Sequence, residues 1–279
     1  MRPNFIGIGA QKCATTWLHA ILSDHPEACL GPSKEINFFS YYYDYGFQWY
    51  ERQFDCAGNP LAVGEISPSY FHASAVPERV FSYDRAMRLI LFLRNPVDRA
   101  LSNHKHEVRT GHLSGTDLSF ESGIRNNPSY VEQGRYATHL ERWLGYFPRA
   151  QLHILLFEDI VADPGAAARG VYEFLRIDGG HVSTAVTARS NEGYVNRYLL
   201  LRRMRMHGKK ALRALRLEWI WLGVAHAGGR RLYRAINRAD AERVIPPLAD
   251  STRQMLKAEF RGEIQRLERL LGRSLQHWL

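Results

Sequence analysis

No stretch of this chain is apolar enough to cross a bilayer. Its longest apolar patch, Trp219 to Ala225, falls far short of the roughly 20 residues that a spanning helix needs. Cysteine is scarce: Cys13, Cys29 and Cys56 are odd in number and lack metal-ligand spacing. That pattern argues against a disulfide framework and for a reducing compartment, and it offers no metal site. The N-terminus enters an apolar run within a few residues, leaving no room for a signal peptide. There is no internal repeat and no convincing boundary. The expectation is therefore a soluble, cytoplasmic, single domain over 1–279, and the abundance of Arg and Ala suggests a GC-rich bacterial gene.

What is plentiful is apolar residues and positive charge. Forty-five per cent of the residues are hydrophobic, enough for a sizeable core. Lys and Arg outnumber Asp and Glu by 37 to 28, a formal charge of +9 that suits an anionic ligand or surface. The excess alone does not choose between nucleotide, acidic glycan, nucleic acid and lipid.

The most informative stretch is Asn4 to Leu22, NFIGIGAQKCATTWLHAIL. Phe5, Ile6 and Ile8 read as a buried parallel strand, and Gly7, Gly9 and Ala10 as a tight turn that carries Lys12. From Ala14 the apolar spacing becomes helical, with Trp17, Leu18, Ile21 and Leu22 on one face. Such a junction is an anion cradle: unpaired N–H groups and the positive end of the helix dipole point into the loop, joined by the hydroxyls of Thr15 and Thr16. It differs from the nucleotide-binding P-loop, G-x-x-x-x-G-K-[ST], in holding its lysine at Lys12 and Thr15 in the lysine slot. Cys13, beside Lys12 and a helix start, is expected to be an activated thiol.

Further buried strands are predicted at Leu61–Ile66, Met87–Leu93 and Leu152–Phe157. Helices are predicted from Pro96 to about Arg109, from Gly134, over Ala166–Leu175 and over Ser251–Leu271, with Asn95 as the cap before Pro96. Strands alternating with helices predict an α/β fold: a P-loop-like parallel sheet with helices on both faces. Arg94 closes a strand, where ligands of open parallel sheets sit, and Ser102 lies about two turns into the next helix. Residues 110–133 read as a mobile loop and 41–54 as an aromatic turn and helix. The basic run within 197–216 suits a solvated face, a lid or a peripheral membrane contact; more broadly, 199–248 suits a lid or acceptor region.

AQKCATT at 10–16, KEINFF at 34–39 and LILFLRNPVDRALSNH at 89–104 together resemble the sulfotransferases that use 3'-phosphoadenosine 5'-phosphosulfate. The similarity is to the Golgi glycan branch and its bacterial relatives. It extends through GEISPSY at 64–70, GRYATHLERWLGYFP at 134–148 and LLFEDIVADP at 155–164, and is weakest over 199–248. The resemblance implies that Lys12, Cys13, Ala14, Thr15 and Thr16 cradle the 5'-phosphosulfate and that Arg94 and Ser102 bind the 3'-phosphate. It implies Glu35 as general base, with His104 and His106 as rivals, and, through a loose match, Gly193 and Tyr194 near the adenine. The product would be adenosine 3',5'-bisphosphate, and no metal or nucleic acid is implied. Cys13 and Ala14 replace the usual loop glycines, and Ile66 stands where some glycan enzymes carry a lysine.

The residues suit this chemistry on their own terms. Sulfuryl transfer, like phosphoryl transfer, is an in-line displacement in which charge builds on the leaving oxygen, where Lys12 would supply fixed positive charge. Glu35 would take the acceptor's proton, desolvated by its aromatic neighbours. Two other readings stand beside this one. LHILLFEDI at 152–160 resembles the acidic strand end of a P-loop kinase or nucleotidase, and the basic run suits a nucleic-acid or membrane module.

Overall fold

The computed structural model describes residues 1–113, 118–187, 194–196, 236, 238–240 and 244–279. In chain order its elements are β1 (Phe5–Gly9), α1 (Thr15–Ser23), β2 (Ala28–Leu30), α2 (Phe38–Tyr41), α3 (Gly46–Glu51), β3 (Ala62–Ile66), α4 (Val76–Tyr83), β4 (Arg88–Leu93) and α5 (Pro96–Thr110). These are followed by α6 (Phe120–Asn126), α7 (Ser129–Glu132), α8 (Tyr136–Leu144), β5 (Leu152–Leu156), α9 (Phe157–Ala162), α10 (Pro164–Leu175), β6 (Tyr194–Asn196), β7 (Arg238–Asp240) and α11 (Asp250–Leu271).

β1 to β5 form one parallel sheet in the order β2-β3-β1-β4-β5. β1 and β3 are buried throughout and β4 in all but its first residue, the continuous apolar pattern of strands covered on both faces. β1 runs between β3 and β4, so the loop that leaves its carboxyl end opens at the middle of the sheet. Its pairing with β4 slips between Gly7 and Gly9, which ends the strand and releases the loop. Asn95 caps α5 as expected: its Oδ1 accepts from the backbone N–H groups of Val97 (3.0 Å) and Asp98 (3.4 Å).

Chain contacts divide into two units. The first, Met1–Ala100, Ser129–Ser190 and Arg253–Leu279, holds the parallel sheet. The second, Leu101–Pro128 and Asn191–Thr252, holds the antiparallel pair β6–β7 and a small core of Val108 and Ile245 with Leu113, Leu118 and Val244 packed against it.

Two expectations are corrected. Residues 110–133, read as a loop from their Gly, Ser and Asn content, contain α6 and α7. Ser119 caps α6 by accepting from the Ser122 N–H, and Phe120 and Tyr130 are fully buried, so packing overrides composition. The cysteines do not all stand apart: Cys29 and Cys56 form a disulfide, their Cα atoms 6.0 Å apart. β2, a short edge strand that the sequence did not reveal, brings Cys29 to the segment before β3. The basic run at 197–216 lies outside the described residues.

The disulfide spans a sequence separation of 27. A cross-link of this span typically contributes about 2–4 kcal/mol by restricting the unfolded chain. Thermal unfolding of the protein with and without reductant, or of Cys29→Ser with Cys56→Ser, should show a midpoint lowered by several degrees. An unchanged midpoint after thiol titration has shown full reduction would contradict the bridge.

Candidate active site

The loop after β1 is held tightly at both ends. A side chain at Gly9 would place its Cβ 2.8 Å from Cβ of Phe71, and its φ of +150° disfavours any L side chain. The Ala10 N–H donates to the Phe92 carbonyl at 2.8 Å, tying the loop to the end of β4. Lys12 and Ala14 then both adopt left-handed backbone, φ 69°. This is the conformation glycine would take without strain, and for a non-glycine residue it costs about 1–2 kcal/mol. Ala14 is the residue before α1 and offers no side-chain cap, so the first N–H groups of the helix remain for another acceptor. Thr15 is buried and Thr16 exposed at this opening.

Lys34 joins this cradle to the segment of Glu35. Its Nζ donates to Thr16 Oγ1 at 3.1 Å and Thr15 Oγ1 at 3.4 Å, and lies 3.7 Å from Glu35 Oε1. Burial lowers its pKa while the Glu35 carboxylate opposes the shift. A cavity of about 380 Å³ opens beside it, lined in part by His19, Cys29, Gly31 and Pro32. Lys34 escaped the sequence reading; its place next to Glu35 was the available signal.

Two guanidinium groups act on the base of the cradle. Cys13 is buried, its Sγ 3.8 Å from the Tyr136 hydroxyl. Burial pushes the thiol up to about 11, although the charges of Arg99 and Arg94 both pull it down. The expected activated thiol is thus corrected: desolvation outweighs the nearby cations and the helix start. Arg94 lies at the end of β4 with its Cζ 4.6 Å from the centre of the Phe157 ring. Arg99, absent from the sequence reading, is fully buried. It donates to Gln133 Oε1 (2.7 Å) and the Tyr130 carbonyl (2.5 Å), and its Nε has no partner. No carboxylate pairs with Arg99 among the described residues. A buried cation without a counter-charge favours an anion nearby.

Glu35 itself has left-handed backbone, φ 72°, and its side chain is 41 % exposed. The expected aromatic shell does not enclose it, because Phe38 and Phe39 turn into the core against Tyr50. The enclosed carboxylate is Glu65 of β3, 2 % exposed, in the motif GEISPSY. Ser67 Oγ and Tyr70 OH each donate to it at 2.6 Å. These hydroxyls in turn accept from the backbone N–H groups of Asn37 (2.9 Å) and Phe39 (3.2 Å). Ser69 Oγ donates to Asn37 Oδ1 at 2.6 Å. Burial pushes the Glu65 carboxyl above its ordinary value against the hydrogen bonds that lower it. The residues following Glu35 are thereby suspended from one buried carboxylate. Ile66, at the position of the missing lysine, is core and would crowd any side chain at Gly7.

The remaining predicted residues are placed as follows. Ser102 is half-buried on α5 and belongs to the second unit. His104 is buried there with Nε2 2.9 Å from the Leu118 carbonyl, and His106 Nδ1 lies 2.8 Å from Arg109 Nη2. Burial lowers the His104 pKa. Gly193 lies outside the described residues; Tyr194 is described only as backbone of β6. The acidic pair of the kinase-like motif has C-terminal partners: both Asp159 oxygens accept from Arg273 at 2.6 Å, and Glu158 Oε1 accepts from Trp278 Nε1 at 3.0 Å.

Comparison with known proteins gives this arrangement a context. The family model "Sulfotransferase domain" matches residues 2–207. The human bifunctional heparan sulfate N-deacetylase/N-sulfotransferase 3 is 28% identical over 300 residues, covering 99% of this chain and 31% of the relative. The mouse heparan sulfate glucosamine 3-O-sulfotransferase 5 is 31% identical over 186 residues, covering 63% of this chain and 54% of the relative. The chain thus spans only part of these curated relatives. A solved sulfotransferase from Alicyclobacillus acidocaldarius superposes with a TM-score of 0.72 at 25% identity, covering 100% of this chain and 99% of that one.

Two outcomes follow from the geometry. Cys13 should resist iodoacetamide in the native protein at pH 7–9, because its thiol stays neutral until about 11, and should react once the chain unfolds. Mass mapping of rapid native alkylation at Cys13 would refute that burial. Ser67→Ala removes the acceptor of the Asn37 N–H, so hydrogen exchange over residues 35–40 should quicken while exchange in β4 stays slow. Unchanged exchange over 35–40 would mean that Glu65 and Ser67 do not hold this segment.

Proposed function

Because the chain belongs to the sulfotransferase domain family, we propose that it transfers the sulfuryl group of 3'-phosphoadenosine 5'-phosphosulfate to an acceptor hydroxyl. The observation that carries this reading is the bridge made by Lys34, which brings the cradle hydroxyls of Thr15 and Thr16 to the Glu35 carboxylate. An anion site and a proton acceptor at one place are what sulfuryl transfer requires. The buried charge of Arg99, whose Nε has no partner, and the charge of Arg94 add to the fit for an anionic nucleotide.

The donor, when bound, supplies an activated sulfuryl group on a good leaving oxygen. Lys12 and the first N–H groups of α1, with Thr15 and Thr16, hold the 5' side, and Lys12 offsets the charge that grows on that oxygen. Arg94 takes the 3'-phosphate. Glu35 receives the proton of the acceptor hydroxyl as its oxygen forms the new S–O bond and the old S–O bond breaks. The nucleotide leaves as adenosine 3',5'-bisphosphate, and no metal is assigned a role. The names of the curated relatives point to a glycan acceptor. The kinase reading is weaker, since Glu158 and Asp159 are engaged by Trp278 and Arg273.

Calorimetry with adenosine 3',5'-bisphosphate and AMP tests the nucleotide half. The bisphosphate should bind far more tightly, and Arg94→Ala should lose about 1.5–3 kcal/mol, one to two decades of affinity. Equal affinity for the two nucleotides would reject the site. Glu35→Gln should keep nucleotide affinity and lower turnover by about a hundredfold or more, since it cannot accept a proton. Near-normal turnover in that variant, with loss in His104→Ala or His106→Ala, would move the base to that histidine.

A further inference from the structure

Three exposed tyrosines follow Glu35 closely in the chain. Tyr41, Tyr42 and Tyr45 are 69%, 44% and 60% exposed. They form an ordered surface: the rings of Tyr42 and Tyr45 stack with centres 5.7 Å apart and planes at 19°. Trp49 closes the group, 5.0 Å from Tyr45 and 6.0 Å from Tyr42. It also anchors the group, since Trp49 stacks on buried Phe38 at 6.1 Å and Phe38 stacks on buried Tyr50 at 4.5 Å. Large rings held rigid and left in water mark a binding surface.

The charge of this surface narrows its ligand. From Ile36 to Glu51 the chain contains no Lys or Arg, and its charged residues are Asp44 and Glu51. Arg52 follows Glu51 and is exposed, while Arg79 and Lys34 are engaged beneath or beside the shelf. Arg79 lies 4.4 Å from the Tyr43 ring centre and donates to the Phe39 carbonyl, while Lys34 is held by Thr15, Thr16 and Glu35. Within the described residues 36–52 a polyanionic chain would meet Arg52 alone, against the carboxylates of Asp44 and Glu51. A tyrosine shelf offers flat apolar faces with hydroxyl tips at their edges. That pattern matches a pyranose ring, whose C–H face is apolar and whose rim carries hydroxyls. A wholly apolar acceptor is better served by an enclosed pocket, which these exposed rings do not form.

We propose that Tyr42, Tyr45 and Trp49 form the acceptor platform and that it takes an uncharged sugar ring, not a polyanionic glycan. The proposal rests on the sulfotransferase reading and deepens it: the acceptor would differ in charge from the heparan sulfate named for the curated relatives. The shelf continues directly from the segment that carries Glu35, with α2 as the connection.

The test is a glycan array bearing neutral saccharides beside uronate- and sulfate-bearing ones, probed with the fluorescently labelled full chain loaded with adenosine 3',5'-bisphosphate. Binding to neutral saccharides is expected, weakened at least tenfold in Tyr42→Ala and in Tyr45→Ala. Calorimetric affinity for the bisphosphate should stay within twofold in both variants, which shows that they fold. Signal confined to anionic glycans, no signal on any saccharide, or neutral binding unchanged in both variants would each overturn the proposal. Failure of the bisphosphate to bind would instead overturn the sulfotransferase reading; the array, repeated without nucleotide, still reads the shelf.

Discussion

A carboxylate buried beside the central strand of a parallel sheet must be given donors, and the candidate site is arranged around how Glu65 obtains them. Left unpartnered, such a group would cost several kcal/mol. Ser67 and Tyr70 satisfy it, and their hydroxyls then have acceptor capacity left over, which the N–H groups of Asn37 and Phe39 fill. A demand made by one buried charge is thus met by fixing a neighbouring segment several residues long. Because β3 pairs with β1, the segment is referenced to the same sheet that carries the cradle.

Positive charge plays the complementary part. Lys34 bonds the cradle hydroxyls, and Arg94 and Arg99 act on its base from the end of β4 and the start of α5; Arg99 is buried without a carboxylate partner among the described residues. Natural folds rarely leave a guanidinium so placed unless an anion is to be expected nearby. The same cations fail to activate Cys13, because burial acts on the thiol more strongly than they do. One environment therefore favours a bound anion and disfavours a thiolate, the difference being that the thiol is sealed from water.

Much of this was legible in the sequence, and what was not has physical reasons. Apolar runs marked β1, β3 and β4 because both faces of such strands are covered, and β5, half-buried at the sheet edge, by its apolar residues alone. The cradle and the cap at Asn95 were legible because small residues, hydroxyls and prolines act locally. β2 was not, being three residues long at the sheet edge and only half-buried. The orientation of residues 35–39 was also hidden. Two left-handed residues, Glu35 and Asn37, send neighbouring side chains to opposite environments, so a carboxylate flanked by aromatics in sequence is not surrounded by them in space. Glu65 and Arg99 were missed because their importance lies in burial and distant partners, neither of which composition reports.

The bridge between Cys29 and Cys56 encloses Lys34, Glu35, α2 and the tyrosine shelf within one closed loop whose ends stand 6.0 Å apart. A segment pinned at its ends in this way behaves as a cassette. Its length and contents can drift without disturbing the sheet, provided that the two anchors and the contacts to Ser67 and Tyr70 are kept. Divergence among proteins sharing this framework would then concentrate between the two cysteines, leaving the central strands and the loop after β1 under separate and slower change.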